Sequence, residues 1–222
     1  MSPPKKSAKR SARPTGASAD RTTVDGQRTR ARRGEAATAG RRAPLEVIRG
    51  ARAAGTPAKA FGQRPGASNR QLLVFNMVRA RARVQAAVQG MVPGSAERPI
   101  GEGKWNTREI VLHLHFWDRE TLRSLESAHH GIRPSWADYD REDFSRANAA
   151  GLDELRHLGW DEATRALHSG RQALIEAIER IPELPADVWD TTHALGELLN
   201  NMPYHDLHHA DAIKRWRARA GA

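Results

Sequence analysis

The chain contains no cysteine. That excludes disulfides, a thiolate nucleophile and sulfur-ligated zinc, so any bound metal has to be held by histidine, aspartate or glutamate. No apolar run approaches the ~20 residues needed to span a bilayer, and the basic amino-terminal stretch is not followed by the apolar core of a signal peptide. A soluble, cytoplasmic protein without membrane association is expected. No segment alternates β-branched and polar residues as a half-buried strand would, and no internal repeat is visible.

Acidic and aromatic side chains are scarce in the first third. Residues 1–70 hold 17 Lys and Arg against 4 Asp and Glu, and Phe61 is their only aromatic. The remaining residues carry 19 bases and 22 acids, so the whole-chain charge of +10 comes from the amino-terminal segment and the rest is mildly acidic. A segment this charged and this poor in apolar groups cannot offset a backbone ordering cost of roughly 1–2 kcal/mol per residue. Residues 1–68 are therefore expected to be a disordered basic tail, and residues 69–222 the folded part. The clusters Lys5-Lys6, Lys9-Arg10, Arg32-Arg33 and Arg41-Arg42 suit weak, sequence-independent association with nucleic-acid phosphates, without base stacking. A solubilising extension or an acid-poor transit peptide is the alternative.

What is present beyond residue 68 is helical periodicity. Ser68 or Asn69 caps a first helix in which Leu73, Met77, Ala80, Val84 and Val88 share a face, ended by Gly90 and Pro93. Asn106 and Glu109 form a capping box that opens a second helix running to about His129. A shorter helix or an ordered excursion is expected over Asp140 to Leu158. Asp161 then caps a helix reaching Arg180, with Leu167, Leu174 and Ile178 aligned. The last helix starts between Thr192 and Pro203 and ends near Arg217, its entry complicated by Pro203. Four principal helices and no strand make an all-α four-helix bundle.

Three histidines stand out on this frame. His205 and His209 are four residues apart, one turn on one helical face, the spacing that lets two imidazoles reach one metal ion. His205 continues a stripe with Leu198, Met202, Ala212 and Trp216, and His113 lies among Ile110, Leu114 and Trp117. The three can meet only if the fold brings two helices together. His115 points to another side of its helix, and His208 is a substitute ligand close in angle to His205. His129, His130 and His193 fall near helix ends and are expected to be solvated.

The two segments, Trp105-x-x-x-Glu109-Ile-Val-x-His113-Leu-x-x-Trp117-Asp118 and His205-x-x-x-His209, resemble the metal-site motifs of the DinB-like superfamily. These are four-helix-bundle proteins that include bacillithiol S-transferases. The resemblance covers about residues 69–217 and implies that His113, His205 and His209 are the ligands of a divalent ion, zinc or nickel. Related mycothiol-dependent isomerases usually carry an acid where this chain has His205, which favours the three-histidine branch. Three imidazoles leave an open coordination position, the arrangement of a catalytic site.

The expected function is a metal-dependent enzyme of detoxification or stress. It would hydrolyse a reactive small molecule or transfer a low-molecular-weight thiol to it. The alternative is a metal-binding or ligand-sequestering bundle without turnover. His208, Asp118 and Tyr204 are the candidate proton-transfer groups; Tyr204 and Asp206 could instead orient the site through its outer hydrogen bonds or lie on a solvated face. A homodimer is a further expectation.

Overall fold

A computed structural model describes residues 68–190 and 192–221. Among the described residues there is no strand, only an isolated bridge between Pro99 and Asn106. The helices are α1 (Asn69–Val88), the single turn α2 (Pro93–Ala96), α3 (Thr107–His129), α4 (Arg141–Leu155), α5 (Trp160–Arg180), α6 (Ala194–Asn200) and α7 (Met202–Ala220). Short 3-10 turns cover Ser135–Asp138 and Ala186–Trp189. The long helices α1, α3, α5 and α7 form the four-helix bundle, α3 lying along α5 and α1 along α7. The tail expected over residues 1–68 falls outside the described residues except at Ser68. That residue is the cap of α1, and its hydroxyl accepts from the Gln71 backbone N–H.

The caps follow the sequence closely. Asn106 and Glu109 satisfy each other's backbone donors at 2.8 and 2.9 Å, which fixes the start of α3. Asp140 and Asp143 do the same for α4. The α5 start differs from expectation. Gly159, not Asp161, occupies the cap, and the Glu162 carboxylate accepts its backbone N–H at 2.9 Å. Asp161 sits inside the first turn, where its charge complements the helix dipole. The expected single last helix is two helices, interrupted at Asn201. Pro203 lies in the first turn of α7, where its missing N–H costs nothing, and α7 continues three residues beyond the expected Arg217.

Apolar stripes from the four long helices make one core. Met77, Ala80 and Val84 of α1 are completely buried, as are Leu174 and Ile178 of α5 and Ile213 of α7. On α7, Ala210 and Ile213 occupy the deep positions and Ala212 is only half-buried. Helix α4 lies against α3 through an aromatic cluster of Phe116, Trp117, Trp136, Tyr139 and Phe144. Gly151 permits this approach, since a Cβ there would meet the Phe116 ring at 2.5 Å. The close fit holds α4 as one wall of the cavity described next.

Candidate metal centre

Helix α3 supplies His113 and α7 supplies His205 and His209, all three buried. The chain separation of 92 residues between His113 and His205 closes to 2.8 Å between their Nε2 atoms. His209 Nε2 lies 3.2 Å from the same His205 nitrogen. Among the described residues, this is the cluster whose ligand atoms could hold one metal ion. These two separations are close to the ~3.3 Å edge of a tetrahedron with metal–nitrogen bonds of ~2.0–2.1 Å, and all three ligand nitrogens lie within 4.8 Å of one another. The pair and its distant partner, expected from spacing and resemblance, are thus brought together.

An imidazole Nε2 has one lone pair or one hydrogen, so it can complete one hydrogen bond. His205 Nε2 has two nitrogen neighbours, and one of those contacts must fail in any tautomer. A cation resolves the conflict because all three lone pairs can point at it. Burial reinforces this by disfavouring the protonated forms. It pushes His205 down to about 4, and His113 and His209 well below the usual imidazole value. The three rings are held neutral, the state that ligates.

A structured loop completes the site. Ile100 N–H donates to the Trp105 carbonyl, and Gly103 turns the chain with φ +62°, a left-handed conformation that side chains resist. Trp105 is thereby packed on His113 with ring centroids 4.7 Å apart. Trp105 and His209 also line a cavity of about 650 Å³ between this loop, α3, α4 and α7. A much smaller void of about 20 Å³ is lined by His205, Trp117, Trp136 and Phe144.

Beside the triad is a second buried polar cluster that the sequence reading missed as a unit. Arg81 of α1 and Arg171 of α5 each bridge Asp118 of α3 and Asp206 of α7, with contacts of 2.8–3.0 Å. Arg81 also donates to the Leu167 carbonyl at 2.6 Å. Burial alone would raise the Asp206 carboxyl, but the two guanidinium groups overcome it and hold Asp206 below the ordinary carboxylate range. Asp206 is therefore buried and fully engaged, not on a solvated face. The sequence did carry a signal. Arg81 falls within the Met77–Val84 stripe and Arg171 between Leu167 and Leu174, and a core arginine requires a buried carboxylate.

The remaining candidates separate by position. His208 is exposed at the cavity, its ring 5.4 Å from that of His209, and its pKa is lowered by desolvation and by Arg215. Asp118 is sealed in the ionic quartet and lines neither cavity. Tyr204 lines neither cavity, and burial pushes its hydroxyl up to about 12, away from proton transfer near neutrality. His115 is half-buried against Gly170 and does not join the triad. His130 is exposed beside Glu126, and the half-buried His193 accepts the Leu195 N–H as the cap of α6.

Fold and site together define a helical bundle with a buried three-histidine centre opening on a cavity. Residues 76–213 match the DinB superfamily, and the chain belongs to it. Two solved structures share the fold. One is an uncharacterised protein from Escherichia coli UTI89, with a TM-score of 0.56 and 12% identity over 68% of this chain and 94% of that one. The other is YfiT from Bacillus subtilis, described as a probable metal-dependent hydrolase with an unusual four-helix bundle topology. It has a TM-score of 0.51 and 18% identity over 72% of this chain and 94% of that one. By sequence, no curated protein matches.

Proposed function

We propose that the chain is a metal-dependent enzyme that acts on a reactive small molecule held in the large cavity, with hydrolysis as the reaction. The observation that carries this reading is the unresolved contact at His205 Nε2, which a cation bound by His113, His205 and His209 relieves. A divalent ion such as zinc or nickel supplies Lewis acidity and an acidified water there. YfiT, a fold neighbour described as a probable metal-dependent hydrolase, supports the same class.

The chain's own residues have distinct parts. His209 lines both the triad and the cavity wall, so the reacting bond lies beside it. Of the three proton-transfer candidates only His208 faces the cavity, and its lowered pKa keeps it a neutral acceptor near pH 7. Trp105 packs on His113 and limits water on that side. Arg81 and Arg171 tie Asp118 and Asp206 together and so fix the relative placement of the two ligand-bearing helices.

Metal analysis of the full chain tests the centre. One divalent ion per chain is expected in the wild type, and none in the His113→Ala, His205→Ala, His209→Ala triple variant. Turnover of activated esters and amides should vanish with chelator and return with zinc or nickel. A requirement for added low-molecular-weight thiol would assign transfer in place of hydrolysis. A metal-loaded protein that binds without converting would make it a sequestering bundle. The reading places the protein in the cytoplasm as a detoxifying or stress enzyme, among the described residues of which no helix is long and apolar enough to cross a membrane. Weak nucleic-acid association through residues 1–68 and a homodimer complete the proposal.

A further inference from the structure

The charges around the large cavity run against those of the body that carries it. Beyond residue 70 acids outnumber bases, 22 to 19. The cavity lining nevertheless includes five Lys and Arg side chains and only two carboxylates. Both carboxylates are already engaged. Glu109 accepts the Asn106 N–H in the capping box, and Asp153 is ion-paired with Arg156. Arg108 is matched by Glu97. That leaves Lys104, Arg215 and Arg219, which are exposed and, among the described residues, have no carboxylate at ion-pair distance. Arg219 donates to the Ile100 carbonyl at 3.5 Å, which draws the end of α7 toward the loop that bears Lys104.

The deeper lining continues the theme. Asn148 is buried, and its Oδ1 accepts the Trp117 Nε1 hydrogen at 2.9 Å. Because an indole nitrogen can only donate, the amide orientation is fixed, and what Asn148 retains is a pair of N–H donors. Ser145 spends its hydroxyl hydrogen on the Arg141 carbonyl. The walls between these groups are apolar, including Leu112, Leu152 and Ala212. The volume is that of a small-molecule site.

Resting on the reading of this cavity as the substrate site, we propose that it selects amphiphilic small acids. A carboxylate or phosphate is held at the Lys104–Arg215–Arg219 rim while the apolar body lies along the walls toward Asn148 and His209. The rim charges act partly in solvent, so their combined effect is a preference of about three- to tenfold over a neutral isostere. The preference weakens as salt is added.

Calorimetric titration of the full chain with 4-phenylbutyrate, phenyl phosphate and neutral 4-phenylbutyramide tests this. The protein is used both zinc-loaded and chelator-stripped, beside the Lys104→Gln, Arg215→Gln, Arg219→Gln triple variant. The wild type should bind at least one acid three- to tenfold more tightly than the amide in both metal states, at one site. The triple variant should lose that preference while keeping its helicity, its zinc occupancy and its affinity for the amide. The two acids show whether the rim favours carboxylate or phosphate. Failure of both acids to bind at millimolar concentration, equal binding of acid and amide, or a preference that survives the triple variant would overturn the proposal. So would a preference seen only with zinc, since the ion would then be the anion's partner. Failure to take up zinc would refute the metal centre and leave the stripped-protein comparison intact.

Discussion

The histidine triad and the two aspartates of the arginine–aspartate quartet sit on the same two helices, yet the two clusters are balanced in opposite ways. In the quartet, two guanidinium groups meet two carboxylates, and the sum is neutral without any addition. In the triad, three neutral nitrogens crowd together with one contact more than their hydrogens can satisfy. One cluster is electrostatically complete and the other is not. Burial of a polar group is thus informative only once its partners are counted: the complete cluster reads as architecture, the incomplete one as a receptor for a cation.

Removal of one member from each cluster should give the largest difference between them. Arg171→Met leaves two buried carboxylates facing a single guanidinium, and unfolding by urea should show a loss of about 3–5 kcal/mol. His209→Ala removes only a neutral, poorly satisfied ring, so the metal-free protein should lose much less. Equal losses would mean that the triad is as self-sufficient as the quartet.

The pH response separates them next. The triad's imidazoles titrate far lower folded than unfolded, where histidine sits near 6.5. Their contribution to stability is therefore complete above pH ~6.5. It is lost as pH falls toward about 4, because the unfolded chain takes up protons that the folded one refuses. For His205 alone the loss is on the order of 3 kcal/mol. Denaturation midpoints of the metal-free protein between pH 7 and 4.5 should follow this slope, and His205→Gln should flatten it. Asp206, held low by its arginines, should not contribute in that window.

Metal sharpens the contrast further. At a hundredfold excess over its dissociation constant, zinc should stabilise the wild type by about 2.7 kcal/mol and the triple-alanine variant of the triad hardly at all. Arg171→Met, if folded, should still respond to zinc. The smallest effect expected is at His115, next to the triad but outside it. His115→Ala should leave zinc occupancy, read by atomic absorption, nearly unchanged.

These two clusters were unequally legible in the sequence. The triad could be read because a four-residue spacing survives as a helical face, and because the stretches around His113 and His205 carry family motifs. The quartet draws one residue from each of four helices, with partners up to 125 residues apart, and no local spacing announces it. Asp118 reads from the sequence as a proton-transfer candidate at a motif position and Asp206 as a residue that orients the site, neither of them as part of an ion pair. The arginines that explain them stood unnoticed in apolar stripes at positions 81 and 171. Helix boundaries were readable where a side chain makes the cap, as at Asn106 and Asp140. They were missed where backbone geometry decides, as at Gly159 and at the Asn201 break. The cavity was not legible at all, since it depends on how far α4 can approach α3, and that is set by the contact between Gly151 and Phe116.

The uneven division of the triad between helices also bears on folding. His205 and His209 belong to one turn, so their mutual placement comes with α7 itself. His113 is brought to them only when a stretch of 92 residues has closed. An ion held by all three would pin that long loop as a disulfide does elsewhere, and in a chain without cysteine nothing covalent can take that part. Loading the ion and locking the topology would then be a single event, and the empty and filled proteins would differ most in how rarely the bundle opens.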